Sequence, residues 1–123
     1  MSVTTALDSD GFNTVVLVGE VTTPLVSRSL SNGSIASSFD VATHTDEGRL
    51  SVPVSIEGES DVVVVGSQVC ILGAVRRRFF RAGGSVTSRT EVIARSVIPV
   101  RRKAQIRKAL QETMENLLAL QGG

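Results

Sequence analysis

The chain has 123 residues with one Cys, one His, four Phe and neither Trp nor Tyr, so no internal disulfide can form, no zinc site can be assembled from His and Cys, and Val, Ile and Leu must build the core. Its net charge of +1 conceals two halves: nine acids and two bases through Val75 give −7, and eleven bases and three acids from Arg76 onward give +8. A basic half beside an acidic one points to a polyanionic partner, or to packing of one half on the other.

Residues 1–11 are small and polar and read as a loose arm, with strand addition to a neighbour as the alternative. They lack the basic start and apolar core of a signal peptide, and no apolar run approaches the roughly 20 residues of a membrane helix. A cytoplasmic protein with no membrane partner is expected. Asn13 to Thr22 is β-branched and apolar, with both faces expected to be buried. Gly19 near its far end predicts a bend, where one long strand exchanges one neighbour for another. Thr23-Pro24 breaks it. Leu25 to Leu30 is a short extension, and Asn32-Gly33 predicts a hairpin turn with positive φ at both centres.

Ile35 to Thr43 alternates, with Ile35, Ser37, Phe39 and Val41 on one face; Phe39 points inward as a core residue. After the turn Thr45 to Gly48, Leu50 to Ile56 places Leu50, Val52, Val54 and Ile56 on one face. Pro53 on the other face lacks a ladder donor, which suggests a sheet edge. Val62 to Val65 is a poor helix former and reads as a short extended connection. Gln68 to Phe80 and Ser85 to Val97 are long strands joined at Ala82-Gly83-Gly84, and Pro99 ends the second. Cys70, between Val69 and Ile71, reads as a buried small apolar residue. Five strands with irregular turns suit a small barrel better than a parallel α/β fold. The period then changes. Ile106, Leu110, Thr113, Leu117 and Leu120 recur at three and four, and Ala109, Met114 and Leu118 widen the stripe, so Arg101 to Leu120 is an amphipathic helix closed by Gly122-Gly123. Its stripe packs on the barrel or on a second copy of the helix. The organisation expected is an arm over 1–11, a barrel over 12–99 and a helix over 100–123.

Three blocks carry a family resemblance. They are Asn13 to Gly19; Pro24 to Arg28 with Asn32-Gly33 and Ala36 to Thr43; and Gly66 to Gly73 with Arg76 to Phe80 and Thr90-Glu91-Val92. In order and spacing they resemble the bacterial single-stranded DNA-binding protein (SSB) family. The resemblance implies an all-β, five-stranded OB-fold Greek-key barrel, here with a C-terminal amphipathic α-helix. It also implies homo-oligomers, dimers or tetramers, and binding of single strands through stacking rings and basic side chains. The third strand lacks the aromatics that the family usually places there. A helix stands where family members carry a disordered tail with an acidic tip.

Arg76-Arg77-Arg78-Phe79-Phe80-Arg81 is the most informative stretch. On a strand, Arg76, Arg78 and Phe80 share one face, while Arg77, Phe79 and Arg81 share the other. Cations track phosphates and rings stack on bases of any identity, so this mix suits a single strand. By alignment Phe80 falls where the family has a stacking Trp; Phe79 is a DNA-contact candidate beside it, with packing as its alternative role. The competing reading is a solvated hairpin with its rings in a subunit contact. Arg28 matches a basic position of the family, and Arg49 and Arg89 are expected to flank the groove; each alone is also an ordinary surface charge. Arg101, Arg102, Lys103, Arg107 and Lys108 oppose the helix dipole, which asks for phosphates or for the acidic half of the barrel nearby. No triad or phosphate-loop motif occurs, so neither enzyme activity nor a cofactor is expected. The function expected is sequence-tolerant, non-catalytic binding of single-stranded DNA in replication, repair or recombination. The alternatives are an OB-fold accessory module that has lost most strand binding, and a binder of structured RNA.

Overall fold

A computed structural model describes residues 11–122; the expected N-terminal arm lies outside these residues except for Gly11. Six strands and one helix follow in order: β1 Val15–Val21, β2 Val26–Ser29, β3 Ile35–Thr45, β4 Gly48–Glu57, β5 Gln68–Ala82, β6 Ser85–Pro99 and α1 Lys103–Gly122. The sheet order is β1-β5-β6-β4-β3-β2, and β1 also pairs with β3. That last pairing closes five strands into a barrel, with β2 as a flap on β3. All ladders are antiparallel except β4 with β6, where Val54 and Ser55 lie beside Val92 and Ile93. This is an OB-fold barrel with a C-terminal helix.

Closure depends on Gly19. β1 pairs with β5 from Val15 to Glu20, then with β3 at Glu20 and Val21. Gly19 sits at the exchange, where a Cβ would overlap the Ala42 carbonyl and come within 2.9 Å of Val41 Cγ1. Only glycine lets β3 approach this closely. Gly73 plays the same part where β5 meets the bulge of β6, against the Ile93 carbonyl. Two residues before β1, the Asn13 side chain continues the pairing: its Nδ2 donates to the Val75 carbonyl and its Oδ1 accepts from the Val75 N–H.

The core holds Val21, Phe39, Val41, Val54, Val69 and Ile71, with Val63 from the connection before β5. Phe39 is the only ring in it. Several expectations change. Val16 and Val18 on the outer face of β1 are exposed, so that strand is buried on one side only. Its partners across β5 on that face, Leu72 and Cys70, are instead covered by α1. The Leu25 to Leu30 extension is a true strand over β2. Its turn carries positive φ at Gly33 alone: the Gly33 N–H donates to the Leu30 carbonyl and Asn32 Oδ1 accepts from the Ser34 N–H, a three-residue loop rather than a two-residue one. Pro53 is not on an edge strand, because β4 lies between β3 and β6. The Asp40 N–H and carbonyl opposite it bond to Thr23 and Thr22, away from β4. Pro53 therefore occupies a non-hydrogen-bonded pair, and its nitrogen faces the side of β4 that is unpaired until Val54.

α1 docks by fewer residues than its stripe suggests. Ile106 and Ala109 cover Cys70, Leu72 and Ile98 on the outer face of the barrel. Thr113 accepts from Arg95 Nη2 at 3.2 Å. Leu110, Met114, Leu117 and Leu118 remain exposed. Burial under the helix pushes the Cys70 thiol pKa above its ordinary value. α1 is not long and apolar enough to cross a membrane.

Candidate nucleic-acid interface

The β5–β6 ladder outruns the barrel. Val75 and Val92 form the last pair with a core member, and β4 accompanies β6 only as far as Val92 and Ile93. Beyond them seven pairs, from Arg76 with Glu91 to Ala82 with Ser85, continue as a free two-stranded arm. Gly83 and Gly84 close it, with φ of 58° and 85°. A two-residue turn with both centres positive matches the twist of its strands, which only glycine supplies here without strain. The arm from Arg76 to Glu91 holds five arginines and one acid.

The register fixes which side chains meet. One face carries Arg76, Arg78 and Phe80, opposite Glu91, Arg89 and Thr87; it continues the outer face of the barrel on which α1 lies. The other carries Arg77, Phe79 and Arg81, opposite Thr90, Ser88 and Val86. Both rings are open to solvent, Phe79 at 69% and Phe80 at 43%. Phe79 thus does not pack within this chain. An exposed ring on each face, with cations two residues away, is costly on an arm without a partner.

The sequence reading missed Glu91. It is 4% exposed, and its carboxylate accepts from Arg76 Nε at 3.1 Å, Arg76 Nη2 at 2.5 Å and Ser55 Oγ at 3.2 Å. Arg78 Nη1 stands 3.8 Å from its other side. The two Arg76 bonds form a fork on one oxygen and fix that guanidinium at the base of the arm. Arg76 therefore enters the site already neutralised, whereas Arg77, Arg81 and Arg89 form no ion pair among the described residues and Arg78 shares Glu91 only at 3.8 Å, without a hydrogen bond. Counting outward from Gly83-Gly84 places Arg76 across from Glu91 and Arg78 across from Arg89, so this pairing was available from the sequence. Arg78 beside Arg89 is a like-charge pair, which disfavours the bare arm. Arg77 Nη1 reaches Ser88 Oγ at 3.4 Å.

Arg28 and Arg49 are not gathered with each other. Arg28 lies across from Ala36 and Arg49 across from His44, eight positions apart along β3. At about 3.3 Å per residue that is roughly 26 Å. Both are exposed on the outer side of the barrel, at opposite ends of a floor made of Ser38, Asp40, Ser51 and Pro53. That floor has no ring.

The fold has known counterparts. The chain is similar to the protein in a solved structure described as a Plasmodium falciparum SSB complex with ssDNA, with a TM-score of 0.63 and 17% identity, covering 73% of this chain and 96% of that one. At that identity the likeness establishes the shared barrel. No family model matches the chain, and no curated protein matches it in sequence.

Proposed function

We propose that this protein binds single-stranded DNA without sequence preference and without catalysis, through the β5–β6 arm. The observation that carries the reading is the arm itself: a free ribbon with three arginines in no ion pair among the described residues, a fourth, Arg78, only 3.8 Å from a carboxylate it shares, and a solvent-exposed ring on each face. Open cations meet phosphates and open rings meet bases, and neither interaction asks which base is present. The shared barrel supports this, because the similar Plasmodium protein was solved in complex with ssDNA. The protein serves replication, repair or recombination in the cytoplasm and acts as a homo-oligomer. The exposed apolar rows of α1 and of β1 favour self-association.

The arm is about 20 Å long, six steps at roughly 3.4 Å, and spans about six stacked nucleotides. A fluorescent six-nucleotide oligothymidine is the matching probe. Four arginines give a slope of log affinity on log salt of about −2.8, or a loss of roughly fiftyfold between 50 and 200 mM salt. No binding at 50 mM salt would refute the proposal. One observation favours a second reading, an accessory module that has lost most strand binding: the floor of β3 and β4 has no ring, and Glu91 has already claimed Arg76. The same titration separates the two, since that module leaves the probe free at both salts.

A further inference from the structure

α1 begins against its own electrostatics. Arg101, Arg102, Lys103, Arg107 and Lys108 crowd its approach and first turns, and its first turn holds no acid. The positive end of the helix dipole disfavours cations there. Lys103 and Arg107, four residues apart, add like charges on one face. All five are exposed, and the ion pairs among the described residues involve only Glu91. The acidic half of the barrel does not relieve them: Asp61 alone shares a groove with Arg101 and Arg102 and forms no ion pair with either.

We propose that Arg101, Arg102 and Lys103 form a second phosphate-contacting patch, which holds the strand that the arm grips. The proposal rests on the single-strand reading above. The patch adjoins the far end of the β5–β6 ladder, where Val69 lies across from Pro99. Nine positions along that ladder, Arg78 lies across from Arg89. That separation is roughly 30 Å, or about nine stacked nucleotides, within the 4–16 that an OB fold typically occupies. Arg95 stands between them, exposed at the β6 bulge and bonded to Thr113 of α1. Arg89, Arg95 and Arg101 are thus three exposed cations in order along β6 and past its end, with α1 covering Ile98 between the last two.

Strand length tests this. The wild-type protein and the triple variant Arg101→Gln, Arg102→Gln, Lys103→Gln are titrated with six- and twenty-nucleotide fluorescent oligothymidines across a salt series. Gln keeps helix propensity and removes charge that opposes the dipole, so the variant melts no lower than wild type. Wild type shows a salt slope steeper by about 2 for the long strand than for the short one. The variant loses that excess and, extrapolated from 1 M, about five-hundredfold in long-strand affinity at 50 mM salt, while its six-mer affinity stays within about twofold. Unchanged long-strand binding in the variant, or an equal loss for both lengths, overturns the second patch and leaves the arm reading standing. Failure of wild type to bind either strand overturns both.

Discussion

Removing the charge of Glu91 has opposite effects on stability and on binding. Glu91→Gln keeps an acceptor for Ser55 but ends the charge-assisted fork on Arg76. The acid is buried while the Arg76 side chain is 49% exposed, so the pair lies between a screened surface bridge and a buried one. Surface bridges contribute about 0–1 kcal/mol, and breaking a buried one costs about 3–5 kcal/mol. A loss of about 1–2 kcal/mol is expected from chemical denaturation of this half-screened pair. Binding moves the other way. The freed guanidinium offers a fifth cation to the strand, so the six-mer salt slope steepens from about −2.8 to about −3.5. Extrapolated from 1 M, where the electrostatic contribution vanishes, that is about fivefold tighter at 0.1 M salt. The assay is the six-mer titration of both proteins over a salt series, beside their denaturation curves. Weaker binding with a flatter slope would refute the reasoning: Glu91 would then hold Arg76 in its binding pose rather than withhold it.

Other perturbations follow from single features. Gly19→Ala forces a methyl group into the Ala42 carbonyl at the point of barrel closure and is expected to cost about 3 kcal/mol or more, read by denaturant midpoint or by loss of soluble protein. Phe80→Ala and Phe79→Ala each weaken six-mer binding by about 1–3 kcal/mol if a base stacks on each face, while melting shifts little because both rings are exposed; unchanged affinity in either assigns that ring to a contact between copies. Cys70 resists thiol reagents at pH 8, and Ile106→Asp, which undocks α1, exposes it to rapid labelling. Its raised pKa means that the folded state keeps a proton the unfolded state has lost, so stability falls as pH rises past about 8.5, and Cys70→Ala removes that part of the decline.

Much of this architecture is legible in the chain because it rests on local signals. Gly19 inside a β-branched run announces the neighbour exchange, and Gly83-Gly84 sets the register of the arm and so its two faces. Phe39 and Cys70 are buried as their neighbours predict. Other features depend on what lies across space. The outer face of β1 has the same β-branched composition as a buried one, and only the position of α1 decides that Cys70 and Leu72 are covered while Val16 and Val18 are not. Pro53 signals a missing donor, but which side of β4 that donor would face depends on the bonds that Asp40 makes to Thr22 and Thr23. That Arg28 and Arg49 stand toward opposite ends of β3 follows from strand pairing, which no local signal at either arginine carries. Arg95 was passed over because the bulge that exposes it adds one residue to β6 and breaks the pairing count from the turn.

The location of the bound strand is the most direct test of the central claim. Backbone amide resonances of the isotope-labelled protein, followed while unlabelled six-nucleotide oligothymidine is added, report which residues it touches. The largest shifts are expected from Arg76 to Arg81 and around Arg89, on both faces of the arm. Shifts confined to the floor of Ser38, Asp40, Ser51 and Pro53, or none at saturating oligonucleotide, contradict an arm-borne site.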